Sequence, residues 1–192
     1  MICRAVAKVK IVATNEVVAT VKAYGKALQF CVKVAWESRI RNNVKLHRVV
    51  YRELRETGKL PAQLAVACIK QACGIVKSAK SKPVVKRASV GYNFPRSASL
   101  KGDVLSIVTL NGRQKFVIEV PACFAAYFKE WKLTESLLRI GKRGKAYFLF
   151  GFSKEVVLVN SVSQKSVLGV DLGVNNLVVT SDGGFFHSSK VK

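Results

Sequence analysis

The residue whose setting could do chemistry is Asp171. It stands in Val167-Leu-Gly-Val-Asp-Leu-Gly-Val174, an apolar run that reads as one strand covered on both faces, with Gly169 and Gly173 clearing space beside the carboxylate. Burying an unpaired carboxylate costs roughly several kcal/mol, so the pattern requires a compensating cation, either a divalent metal ion or a basic side chain. Carboxylate oxygen suits Mg²⁺, which can activate water and stabilise a leaving oxygen in phosphodiester cleavage. Asn175-Asn176 then turns the chain into Leu177 to Thr180, and Asp182-Gly183 turns it into Phe185-Phe186-His187. The expected product is a three-stranded meander whose first strand presents an acid. Such a strand opens the ribonuclease H-like fold and also the actin-like ATPases, and a lone buried acid is more often a structural ion pair, especially in so basic a protein. The pattern alone leaves all three open.

The rest of the chain bears on which cation and which substrate. Against 11 Asp and Glu stand 33 Lys and Arg, a formal charge of +22 spread along the whole length, which points to a polyanionic partner. Nucleic acid fits best, because many scattered cations neutralise phosphates without any single motif. The five cysteines, Cys3, Cys31, Cys68, Cys73 and Cys123, form no CxxC pair, and the two histidines, His47 and His187, do not complete a zinc site. An odd number of thiols at apolar-looking positions predicts reduced core residues in a cytosolic protein. No secretory leader is visible, and no apolar run reaches the ~20 residues that span a bilayer. A soluble, cytoplasmic protein with no membrane partner is expected.

The elements follow from periodicity. A short strand is predicted over Arg4 to Ala13, with Thr14 or Asn15 capping a helix from Glu16 to about Ser38 whose stripe is Val17, Val21, Tyr24, Leu28, Cys31 and Ala35. Asn43 is read as the cap of a second helix with Leu46, Val50 and Leu54 inward, ended by Thr57-Gly58. A third helix follows Leu60-Pro61 with Leu64, Cys68, Ala72 and Val76 on one face. After the breaker-rich Lys77 to Pro83 the period becomes twofold. Strands are predicted over Val84 to Val90, over Val104 to Leu110 and Lys115 to Val120 around Asn111-Gly112, and over Glu135 to Ile140 and Lys145 to Phe152 around Gly141 to Gly144. A further strand is expected over Glu155 to Val159. Pro121 to Trp131 reads as a short helix that packs Phe124, Tyr127 and Phe128 on the sheet. Short strands with frequent turns suggest a small barrel or curled sheet. Its turns and edges carry Lys86, Arg87, Arg113, Lys115, Arg139, Lys142, Arg143 and Lys145, candidate phosphate contacts, while Tyr92, Phe94, Tyr147 and Phe148 are candidates to stack on bases. Asn160 to Ser166 is a polar linker.

Gly169-Val-Asp-Leu-Gly-Val-Asn-Asn-Leu-Val-Val-Thr-Ser-Asp-Gly183 resembles the first RuvC motif of the TnpB family, the RNA-guided DNA nucleases of insertion sequences known as OrfB-type transposases. Leu60-Pro-Ala-Gln-Leu-Ala65 is similar to a Leu-Pro-Ser-Gln-Leu stretch of that family's helical recognition lobe, and Gly141-Lys-Arg-Gly-Lys-Ala-Tyr-Phe148 to the hairpin of its wedge domain. The order agrees as well. The fold class implied is α+β: a small antiparallel β-barrel (wedge) with its first strand at 1–13, an inserted helical lobe at 14–82 and the remainder of the barrel at 83–160, followed at 161–192 by the first three strands of an incomplete ribonuclease H-like domain.

The resemblance implies a guide RNA and a DNA target as partners, Mg²⁺ as cofactor only with a completed active site, and Asp171 as one catalytic, metal-binding acid. The family's other two acids and its four-cysteine zinc element would lie beyond Lys192, so no DNA cleavage by this polypeptide alone is expected. Asp182 is read as a turn residue and His187 as a strand-edge side chain. An unpaired apolar edge along Val167 to Val174 predicts a companion chain, self-association or poor solubility. The alternatives are a non-catalytic RNA- or DNA-binding protein of the same descent and, disfavoured by the charge, an actin-like nucleotide-binding fragment.

Overall fold

Alternation along the first strand, β1 (Ile2–Ile11), sets the plan of the molecule: Ala7, Val9 and Ile11 turn inward, and Val6, Lys8 and Lys10 turn to solvent. The coordinates are a computed structural model describing residues 1–141, 143–156, 168–172 and 176–187. Two compact units are present, Met1–Val156 and Val157–Lys192.

In the first unit Thr14 caps α1 (Asn15–Glu37), its Oγ1 accepting from the Val17 amide at 3.2 Å. The predicted stripe Val17, Val21, Tyr24, Leu28, Cys31 and Ala35 is buried throughout. The helix ends on Arg39, held in the left-handed region at φ 54°, with Arg39 N donating to Trp36 O at 3.1 Å and Ile40 N to Ala35 O at 2.9 Å. These two bonds make a Schellman ending, in which glycine normally takes the left-handed position. Asn42, not Asn43, caps α2 (Asn43–Glu56): its Oδ1 accepts from Val44 N at 2.8 Å and Lys45 N at 3.2 Å, and Asn43 is already helical. Pro61 precedes α3 (Ala62–Ser78), whose Leu64, Cys68, Ala72 and Val76 are buried as expected, and α1 and α2 both pack against it.

The strand expected over Val84 to Val90 is corrected by its partners. Lys82 Nζ lies 3.0 Å from Glu37 Oε1, Val85 N donates to Gln29 Oε1 at 2.7 Å, and Ala88 Cβ would sit 3.3 Å from a side chain at Gly25. The segment therefore runs back along α1 and bonds to helix side chains. Only β2 (Val90–Tyr92) enters a sheet.

The remaining elements are β3 (Ala98–Lys101), β4 (Val104–Thr109), β5 (Gly112–Val117), a 3₁₀ turn at Ala122–Phe124, α4 (Ala125–Glu130), β6 (Lys132–Leu133), β7 (Ser136–Ile140) and β8 (Ala146–Glu155). Both predicted hairpins form, as β4–β5 and β7–β8. The strand β3 was not anticipated; it pairs with β4 across a turn in which Gly102 has φ 59°. One antiparallel sheet has the order β1-β8-β7-β2, with β6 also on β8, and a second has the order β3-β4-β5. Mixed α/β character with antiparallel sheets is thus present, but no closed barrel is found among the described residues. Where β1 and β5 would have to pair to close one, a groove lies between Lys10 to Ala13 and Val117 to Pro121.

Both sheets and the helices share one core. Phe148, Phe150 and Phe152 form the inner face of β8, with Phe128 4.9–5.0 Å from the rings of Phe150 and Phe152 and Tyr127 6.0 Å from Phe152. Leu105, Ile107, Phe116 and Ile118 join from the second sheet. Of the cysteines, Cys31, Cys68 and Cys73 are buried and Cys3 is half-buried, whereas Cys123 is exposed, contrary to expectation; all are free thiols.

In the second unit β9 (Val170–Asp171), β10 (Asn176–Thr180) and β11 (Phe185–His187) form an antiparallel sheet of order β11-β10-β9. The predicted turn at Asp182-Gly183 is present, with Gly183 at φ 88° and Thr180 Oγ1 donating to the Asp182 carboxylate. Val167, Gly173 and Val174 of the predicted strand lie outside the described residues, as do the Asn160 to Ser166 linker and residues 157–159. Among the described residues no helix is long and apolar enough to cross a membrane.

Candidate nucleic-acid interface

The outer face of the larger sheet is built by register. Tyr147 on β8 pairs with Lys10 on β1 and with Arg139 on β7, and one row along, Leu149 pairs with Lys8 and Leu137. Directly paired residues project to the same side, so an exposed lysine, a half-buried tyrosine and an exposed arginine form one row across three strands. Lys8 Nζ lies 4.2 Å from the Tyr147 ring centroid, which adds a cation over the aromatic face.

The β7–β8 turn extends this face. Gly141 N donates to Lys145 O at 2.8 Å, Gly144 takes the left-handed conformation at φ 71°, and Arg143 and Lys145 are exposed beside it. A Cβ at Gly141 would stand 3.3 Å from the Tyr147 ring, a tight contact that the ring would have to shift to relieve. From the other side comes Arg87, at the end of the segment that runs along α1. The resulting cavity, about 540 Å³, is lined by Lys8, Arg87, Arg139, Arg143, Lys145 and Tyr147, together with Gly141 and Leu149, and by no carboxylate. Through Lys8, Arg143, Lys145 and Tyr147 it continues into the groove of about 870 Å³ between β1 and the chain beyond β5. Chemically this is an anion trough with an aromatic floor.

Four of the sequence-predicted contacts, Arg87, Arg139, Arg143 and Lys145, therefore come together. Lys86 is exposed but does not line the trough. Arg113 lies on the other sheet, where its guanidinium donates to Ser106 Oγ at 3.2 Å, Ser99 Oγ at 3.3 Å and Arg96 O at 3.2 Å. Its donors are used within the protein. Lys115, opposite Ser106 on β5, is exposed on that same sheet, and Lys142 lies outside the described residues. Of the candidate stacking rings, Tyr92 and Phe148 are core, Phe94 packs 6.2–6.3 Å from Phe148 and Phe150, and only Tyr147 faces outward. Sequence reasoning missed Lys8 and Lys10. Their alternation was visible, but the partner strand that gives it meaning is more than a hundred residues away.

Ion pairing does little to reduce the charge. Among the described residues the cations in ion pairs are Arg52, Lys70, Lys82 and Lys154, with Glu56, Glu135, Glu37 and Glu130. The hydrogen bonds from Lys82 and Lys154 hold the Glu37 and Glu130 carboxyls below the usual carboxylate range. None of the paired cations lines the trough.

The premise of a buried Asp171 is overturned. Among the described residues β9 is two residues long and pairs on one side, through Asp171 opposite Val179, and Asp171 is exposed along with Leu168, Val170 and Leu172. An acid in water needs no compensating cation. Nor do the described residues fit a Mg²⁺ site, since no group of three metal-capable side chains gathers among them and a single carboxylate leaves most of the coordination shell to water.

No protein-family model matches the chain, and no curated protein matches it.

Proposed function

We propose that the chain binds nucleic acid along the trough on the outer face of β1, β8 and β7. The observation that carries this reading is a continuous groove lined by five cations and one outward tyrosine, with no carboxylate in its narrower part. Lys and Arg supply the sequence-independent grip on phosphates, and Tyr147 supplies a π-face that accepts any base. The finer form follows the resemblance to the TnpB family: the partner is a guide RNA together with its DNA target, the larger sheet corresponds to an opened wedge barrel, and Asp171 supplies one acid of a RuvC-like Mg²⁺ site in an insertion-sequence endonuclease. In that form Asp171 needs further acidic ligands, which do not gather beside it among the described residues, and guide-dependent nicking with Mg²⁺ that survives Asp171→Ala would refute it.

The test of binding is a fluorescence-anisotropy titration of labelled single-stranded RNA over a range of salt concentrations. Replacing Arg139, Arg143 and Lys145 by Ala should lower the slope of log K against log salt by about 2 if each contacts a phosphate. An unchanged slope rejects the trough.

A second reading, a non-catalytic binding protein of the same descent, is favoured by the exposed position of Asp171. It predicts that Asp171→Ala leaves RNA affinity unchanged and that no companion chain restores cleavage. The exposed Leu168, Val170, Leu172, Phe185 and Phe186 support instead a companion chain that covers the second unit. Static light scattering of the purified chain separates a monomer from an associated form.

A further inference from the structure

A second place in the first unit combines an aromatic ring with unpaired cations, and it lies on the helices. The corner between α1 and α2 holds a cavity of about 450 Å³ lined by Trp36, Arg39, Arg41 and Val76. Trp36 is half-buried, while Arg39 and Arg41 are exposed and have no ion-pair partner among the described residues. The nearest acid in sequence, Glu37, is already taken by Lys82 at 3.0 Å. Backbone geometry adds a second observation. Arg39 occupies the left-handed position of a Schellman ending, where a side chain is strained and glycine is favoured. A general attraction of cations to a helix C-terminus would explain a basic residue in the last turn, yet the last turn of α1 contains none and the arginines follow it.

We propose that this corner is a separate contact for single-stranded nucleic acid, in which Trp36 stacks on one base and the guanidiniums of Arg39 and Arg41 hold the adjoining phosphates. The pairing of chemistries is the reason. A free phosphate uses the arginines alone, whereas a nucleotide also covers the open face of the indole, whose other contacts are with the core. The strain at Arg39 is then retained for its charge. The proposal rests on the nucleic-acid reading above but concerns residues remote from the trough in sequence.

The test uses the full chain carrying Trp131→Phe, which leaves Trp36 as the single tryptophan, with fluorescein-labelled oligouridine as probe and oligothymidine as the DNA arm. Binding is followed by anisotropy, and Trp36 emission by titration with the same oligonucleotides unlabelled. The expected result is quenching of Trp36 that saturates with the anisotropy. Arg39→Gly should raise Tm by roughly 2–4 °C, because it relieves the strained backbone, and should lower the slope of log K against log salt by about 0.7. Opposite signs for stability and binding are what a purely structural arginine would not give. Binding that persists with Trp36 emission or the Arg39→Gly slope unchanged overturns this contact and leaves the trough standing. Absence of salt-dependent binding overturns both.

Discussion

Single residues decide the local endings of this fold. Asn42 shows how: two amides of the first turn of α2 point at its Oδ1, whereas Asn43 is already the first helical residue. Asn42→Ala should therefore lower stability by about 1 kcal/mol in urea denaturation, and Asn43→Ala by a few tenths at most, roughly. Adjacent asparagines are indistinguishable by type, so the sequence placed the helix correctly and its cap one residue late. Asp171 is the larger lesson at this scale. Its apolar neighbours suggested burial, but apolar residues are buried only where another layer covers them, and Leu168, Val170 and Leu172 have none among the described residues. The sequence motif persists, while the energetic argument first attached to it does not. Buried thiols behave differently again. Hydrogen bonding with Cys31 and burial push the Cys68 thiol up, and burial raises Cys73. Native protein should react promptly with a thiol reagent at the exposed Cys123, and at Cys31, Cys68 and Cys73 only after unfolding, as followed by mass spectrometry.

Among the elements, β8 is the one in which both core and interface meet. Its even-numbered residues Phe148, Phe150 and Phe152 fill the core, and its odd-numbered Tyr147 and Leu149 face the trough. Two substitutions three positions apart should thus separate stability from binding. Phe150→Ala is expected to cost about 3–5 kcal/mol, read by chemical denaturation. Tyr147→Ala should leave stability within about 1 kcal/mol and weaken RNA binding by roughly 5- to 150-fold, in line with the loss of one stacking contact of about 1–3 kcal/mol. The hairpins β4–β5 and β7–β8 were legible because turn chemistry and alternation agree locally, and the three helices because their stripes repeat over many residues. The segment of 84–89 was misread for a physical reason: extended backbone bonded to helix side chains has the same local pattern as a strand. The short β3 was missed because its four residues give too little alternation to register. The trough itself could not be read in advance, since it requires the pairing of β1 with β8 across nearly the whole unit.

At the scale of the whole molecule, charge governs the response to solvent. The Glu37–Lys82 and Glu130–Lys154 pairs depress their carboxyl pKa values in the folded state. Their stabilisation is therefore present above the ordinary glutamate value of about 4.3 and is lost as pH falls through the lower folded-state values. Both pairs are solvent-exposed, so the effect should be small and should shrink further in high salt; urea denaturation at a series of pH values, with Lys82→Ala and Lys154→Ala for comparison, measures it. The helix α1 has one more role, which concerns length. The segment after α3 meets it at Glu37, beside the Trp36 corner, and leaves it at Gly25, where Ala88 is adjacent to Arg87 of the trough. Those twelve helical steps span about 18 Å at 1.5 Å per residue. On the proposed function α1 would act as a ruler, and affinity for oligonucleotides of increasing length should rise in a step once a single strand is long enough to reach both ends of it.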